Sequence, residues 1–185
     1  MSFLIRPETS ADFPVIRSLT AAAFRGAPYS APPMDGTSDP GEAALVGWLR
    51  DDPGYLPELA LVAEEDGTVV GHAMTTRGTL DGGEGQPVPT LGLGPLSVLP
   101  AAQRRGVGTA LLAATVELAA QQGESLIALL GDPGYYGRHG WETASSHGIA
   151  APVPGWGDYF QVRLLPAYDG ARGTFRYAAP FSRFD

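Results

Sequence analysis

The run Gln103-Arg104-Arg105-Gly106-Val107-Gly108 carries the clearest chemistry in this 185-residue sequence. It follows an apolar stretch, Thr90 to Leu99, and opens a helical pattern that continues to about Gln122. The first N–H groups of a helix lack helical partners and carry partial positive charge, and glycines let a ligand approach that backbone closely. Arg104 and Arg105 add formal charge beside them. A pyrophosphate suits such a place. The competing reading is a Gly-rich turn whose arginines are only solvated, because a short glycine motif is weak evidence by itself.

Two other phosphate motifs can be tested on the same residues. A Walker A loop needs Gly-Lys-Ser/Thr, and the sequence has no Lys. A Rossmann fingerprint needs Gly or Ala where Leu111 stands in Gly106-Val107-Gly108-Thr109-Ala110-Leu111. Its strand would also run straight into Gly106, whereas Pro100-Ala101-Ala102-Gln103 intervenes. Both are demoted.

Composition removes further chemistry. There is no Cys, so disulfides, thiolate metal sites and Cys nucleophiles are excluded together. Without a His-Glu-x-x-His pair, no metal site is expected around His72, His139 or His147. Ser97 does not stand in Gly-x-Ser-x-Gly, which argues against a hydrolase. The charge balance is 12 minus 20, or −8, and phosphate neutralisation along a nucleic acid needs a basic face. All the positive residues are Arg. No apolar run reaches the roughly 18 to 20 residues of a membrane span. Met1 to Pro7 has neither a basic start nor a long apolar stretch, so no signal peptide is expected and the chain is expected in the cytoplasm.

The elements that must position the Gly-rich run follow from periodicity. Phe3 to Arg6 reads as a strand. Thr9 to about Phe24 reads as a helix, with Phe13, Ile16, Leu19 and Ala23 at helical spacing. Residues 25 to 40 are a loop rich in Gly and Pro. Glu42 to Arg50 is a second helix, burying Leu45, Val46 and Leu49. Glu58 to Glu64 and Thr68 to Leu80 are strands joined by a hairpin at Glu65-Asp66-Gly67. Asp81 to Pro89 is a polar loop. Thr90 to Leu99 is a strand interrupted by Gly92, Gly94 and Pro95, which suggests a bulge or a splay. The helix after Gly106 should bury Val107, Leu111, Ala114 and Leu118, and stop at Gly123. Ser125 to Leu130 is a strand and Pro133 to His139 a short helix. Further strands fall around Trp141 to Thr143, Tyr159 to Leu165 and Thr174 to Tyr177. The alternation predicts an α/β or α+β fold with a mixed sheet in one domain, residues 1–185.

The residues also carry a resemblance. Leu93-Gly94-Pro95-Leu96-Ser97-Val98-Leu99-Pro100, followed by Gln103 to Gly108, resembles the central motif of the GNAT N-acetyltransferases. Tyr135-Tyr136-Gly137-Arg138-His139-Gly140-Trp141 resembles that family's Phe-Tyr-x-x-x-Gly-Phe element. The resemblance covers nearly the whole chain and is closest to the bacterial group labelled YhbS-like. That group shares Glu42 to Arg50, Val70-Gly71-His72, Gly131-Asp132-Pro133 and the stretch from Gly173 to Phe181.

The resemblance implies a mixed central sheet with a splayed strand before a pyrophosphate-binding helix. It implies acetyl-CoA as donor, held at its pantetheine arm by Leu96, Ser97, Val98 and Leu99. An N–H near Val98 would polarise the thioester carbonyl. Gln103, Arg104, Arg105, Gly106, Val107, Gly108 and Thr109 would hold the pyrophosphate. A small-molecule or peptide amine would attack directly, in a monomer or homodimer. Tyr136 matches the position that protonates the departing thiolate. A phenol with an ordinary pKa near 10 keeps its proton for that step. The alternative for Tyr136 is packing, beside Tyr135. Many family members place a Glu on the splayed strand, but Thr90 to Leu99 holds no acid and no His. His72, Glu42, Glu84 or water remain as bases, with His72 equally readable as a core residue. Tyr29, Met34, Asp35, Glu42 and Trp156 are candidates to touch the acceptor. A non-catalytic acyl-CoA-binding module on the same fold is the rival function.

Overall fold

The Asp66-Gly67 dipeptide reverses the chain between β2 (Tyr55–Glu65) and β3 (Thr68–Asp81). In the computed structural model, which describes residues 3–83 and 85–184, both turn residues have positive φ, 49° and 77°. Such a turn has the twist of an antiparallel hairpin, and Glu65 pairs with Thr68 across it.

The rest of the sheet grows from this hairpin. β1 (Leu4–Pro7) pairs with β2, and β4 (Val88–Val98) pairs with β3, all antiparallel. β5 (Leu126–Leu130) joins β4 in parallel. A parallel pair needs a crossover, which α3 (Val107–Gln121) supplies. β8 (Phe160–Leu164) and β6 (Glu142–Thr143) continue the sheet past β5. β9 (Gly173–Arg176) pairs with β3 and with β7 (Ile149–Ala150). The sheet is mixed, as the order of elements predicts.

Side chains alternate between the two faces of a strand. Ala60, Val62 and Met74 meet Ile16 and Leu19 of α1 (Phe13–Phe24) and Leu45 and Leu49 of α2 (Gly41–Arg50). Leu61, Ala63 and Ala73 face the other way, onto Val107 and Leu111 of α3. Each such Leu contributes about 1.5–3 kcal/mol by leaving water. Gly71 sets the distance between helix and sheet: a Cβ there would lie 2.6 Å from Val107 Cγ1.

Some local readings shift. α1 begins at Phe13 because Thr9 and Asp12 form a capping box ahead of it; the Thr9 N–H donates to Asp12 Oδ2 at 2.8 Å. The buried stripe of α3 is Val107, Leu111, Leu112, Thr115 and Ala119, so Ala114 and Leu118 lie at its margin. β7 has no counterpart among the predicted strands; two residues carry no periodicity. Gly123 does end its helix in the left-handed region, with φ 76°.

Candidate active site

β4 and β5 pair at only two positions, Leu91 with Ile127 and Gly92 with Ala128. Beyond them the strands part, while β4 stays paired to β3 through Leu96, Ser97 and Val98. A gap opens, with its apex at Gly92 and Ala128. Backbone groups point to alternate sides along a strand. The Leu99 N–H donates to Val70 O of β3 at 2.9 Å, so Ser97 also points at β3. Leu96 and Val98 turn their N–H and C=O toward the gap, and the Val98 carbonyl accepts from Gln103 Nε2 there at 3.3 Å. Of the four residues expected along a pantetheine arm, Leu96 and Val98 therefore turn backbone toward the gap, and Ser97 and Leu99 turn it toward β3. The Ser97 hydroxyl is buried, donating to Thr20 Oγ1 of α1 at 3.2 Å.

The gap leads to the start of α3. Gly106 precedes that helix in the left-handed region, φ 90°, and supplies no side-chain cap. The first ladder bond runs from Ala110 N–H to Gly106 O at 2.9 Å. The N–H groups of Val107, Gly108 and Thr109 therefore lie ahead of the ladder. A Cβ on Gly106 would meet nothing within 4 Å, so its φ is what requires glycine. Gly108 is the reverse: a Cβ there would sit 2.7 Å from the Tyr135 hydroxyl oxygen. Arg104 is exposed, with φ 60°. Arg105 reaches Glu65 at the β2–β3 hairpin, 2.6 Å away, so part of its charge is already answered.

Tyr135 and Tyr136 belong to α4 (Pro133–Tyr136), whose start is capped by Asp132 accepting from the Gly134 N–H at 2.8 Å. The Tyr136 ring covers Gly131, where a Cβ would collide with it. It stands edge-on to Tyr135, 4.9 Å between centroids at 86°, and to Trp141, 6.0 Å at 72°. Burial, reinforced by Tyr135, raises the Tyr136 phenol above its ordinary 10.0, with no hydrogen bond contributing. It is a protonated group at neutral pH. The sequence sets Tyr135 beside Tyr136 without giving it a role. Nothing in residue type separates the two tyrosines; the turn of α4 does, sending Tyr135 to the helix start and laying Tyr136 over Gly131 at the end of β5.

Residues 4–144 match the family described as an acetyltransferase (GNAT) domain. The chain belongs to the GNAT acetyltransferase family. It is 32% identical to YhbS of Escherichia coli K12, a protein described as an uncharacterized N-acetyltransferase, over 98% of this chain and 99% of that one. The crystal structure of YhbS in complex with CoA superposes with a TM-score of 0.82 at 29% identity, covering 99% of this chain and 93% of that one. A GNAT acetyltransferase from Brucella melitensis, in complex with acetyl-CoA, gives a TM-score of 0.74 at 33% identity, covering 97% of this chain and 98% of that one. A second E. coli relative, YjhQ, also described as an uncharacterized N-acetyltransferase, is 39% identical over 114 residues, 61% of this chain and 62% of its own length.

On this GNAT fold the two candidate bases among the described residues, His72 and Glu42, are otherwise engaged. His72 is fully buried, with Nε2 2.8 Å from Glu8 Oε2. Glu8 is also held by Arg50, through Nε at 2.7 Å and Nη2 at 2.8 Å, and by the Tyr55 hydroxyl at 2.8 Å. Burial lowers the His72 pKa below 6.5, so the ring is neutral. Burial alone would raise Glu8; hydrogen bonds from Arg50 and His72 outweigh it and hold the carboxyl at about 2. His72 pairs with Ser97, on the face that meets α1 rather than in the gap. The core reading of His72 fits this geometry, and the base reading does not.

Glu42 is likewise spent. Its Oε1 accepts from the Ala31 N–H at 2.8 Å and its Oε2 from the Ser30 hydroxyl at 3.1 Å, tying the 25–40 loop to α2. Glu84 lies outside the described residues. Of the acceptor candidates, Tyr29 and Met34 are exposed, and Asp35 pairs with Arg17 of α1 at 2.6 Å. Trp156 is half-buried against Phe160 and Tyr177.

Proposed function

We propose that this GNAT chain is an acetyl-CoA-dependent N-acetyltransferase that moves an acetyl group directly to an amine. One observation carries the reading: the gap between β4 and β5 leads into a helix start whose N–H groups have no side-chain cap. Those N–H groups, with Arg104, fit a pyrophosphate. The Leu96 and Val98 backbone fits the arm that leads from it toward the apex. YhbS and the Brucella protein, crystallised with CoA and acetyl-CoA, support acetyl-CoA as the donor.

The thioester supplies an activated acyl carbon. An N–H of Leu96 or Val98 stabilises charge on its oxygen, an oxyanion-type contact. The amine forms a C–N bond as the C–S bond breaks. Tyr136 gives its proton to the departing sulfur and regains one from solvent. The amine's own proton leaves through water, or the amine binds already neutral. No Cys exists for an acetyl-enzyme. An acceptor screen that reads released CoA thiol tests the reading. A second reading, acyl-CoA binding without turnover, draws on the engagement of His72 and Glu42. Tight acetyl-CoA binding with no thiol release across the panel would select it.

A further inference from the structure

Tyr177 follows β9 and lays its ring on the apex of the gap. A Cβ on Gly92, the last β4 residue paired with β5, would lie 2.7 Å from Tyr177 Cδ1. The ring is fixed by Phe175 at 4.7 Å and 78°, by Phe181 at 4.6 Å and 38°, and by Trp156 at 6.2 Å. Phe181 in turn covers Gly94, 3.6 Å from where its Cβ would stand. A phenylalanine would fill the same space. Yet the Tyr177 hydroxyl is buried and has no hydrogen-bond partner among the described residues. A buried polar group without a partner is unusual and calls for a missing one.

We propose that the Tyr177 hydroxyl donates a hydrogen bond to the acyl oxygen of a thioester bound in the gap. The inference rests on the acetyl-CoA reading above and names a contact for its acyl end. The edge of the ring that leads to this hydroxyl stands against Gly92, at the apex. Tyr136 reaches the same region from the opposite side, its ring over Gly131, three residues beyond Ala128. Burial, with a smaller push from neighbouring Tyr136, raises the Tyr177 phenol above 10.0. It is therefore a donor at physiological pH and not a base.

Tyr177→Phe removes the hydroxyl and keeps the ring. CoA and acetyl-CoA are the probes, titrated calorimetrically into parent and variant. The variant should lose at least fivefold in acetyl-CoA affinity, keep its CoA affinity, and melt no lower than the parent. Acetyl-CoA labelled with ¹³C at the carbonyl should show a smaller shift on binding to the variant. Equal changes for both probes, or none, with an unaltered carbonyl shift, would overturn the contact while leaving the donor site intact. A parent protein that binds neither probe would overturn the donor site itself, and the contact with it.

Discussion

The Tyr135 hydroxyl stands over Gly108, 2.7 Å from the position a Cβ would take there. A substitution at Gly108 therefore acts twice, displacing the phenol and crowding the helix start. Gly108→Val should weaken acetyl-CoA binding at least tenfold, about 1.4 kcal/mol, by calorimetric titration. Gly108→Ala should do less, and adding Tyr135→Phe should restore part of the loss by removing the colliding oxygen. Unchanged affinity in folded Gly108→Val would place the pyrophosphate elsewhere.

Tyr136→Phe should lower kcat by about 10²- to 10⁴-fold with acetyl-CoA affinity unchanged, the pattern of a lost general acid. Its hydroxyl has no hydrogen bond to lose among the described residues, so thermal stability should hold. Because burial raises its pKa, the rate should not fall on its account between about pH 7 and pH 9. Steady-state kinetics across that range are the check. A variant with parental kcat would make Tyr136 a packing residue.

The Glu8 cluster predicts an acid-sensitive core. The Glu8 carboxyl titrates at about 2 in the folded chain against an ordinary 4.5. A depressed carboxylate stabilises fully above the unfolded value and loses that contribution as pH falls through the folded one. Stability should therefore drop between about pH 4.5 and pH 2. Glu8→Ala should cost about 3–5 kcal/mol at neutral pH, because Arg50 and His72 lose their partner. Urea unfolding at stepped pH measures both; a flat acid limb in the parent would contradict the assignment.

Glu42→Ala should release the 25–40 loop before it alters any acceptor contact. It leaves the Ala31 N–H without its partner, a loss of about 1–3 kcal/mol. Limited proteolysis should find the loop first, and melting should fall with it. A raised acceptor KM with unchanged melting would instead restore Glu42 to the acceptor side.

What was legible in the sequence was local. The Asp66-Gly67 turn, the glycine before α3 and the breakers Gly92, Gly94 and Pro95 each act through their own φ or missing groups, so residue type alone announces them. The family motif then joined the breakers to the helix start. Partners distant in sequence were not legible. Glu8 meets His72 across 64 positions, and Tyr177 reaches Gly92 only because β9 folds back onto β3. The lone His72 looked like a core residue or a base; only its carboxylate neighbour separates the two. The direction of the Ser97 and Leu99 backbone depends on which side of β4 has a neighbour, which the sequence does not display.

Because Gly106 leaves α3 without a side-chain cap, part of this helix's hydrogen bonding must be completed from outside the polypeptide. A ligand seated there becomes a piece of secondary structure. Amide exchange at Val107, Gly108 and Thr109 then serves as a gauge of occupancy, fast in the free chain and slowed on binding. Leu111 and Thr115, inside the ladder, would follow only deeper opening events. A diphosphate-bearing ligand that binds there as proposed would stabilise the folded chain by about 2.7 kcal/mol at a hundred times its dissociation constant.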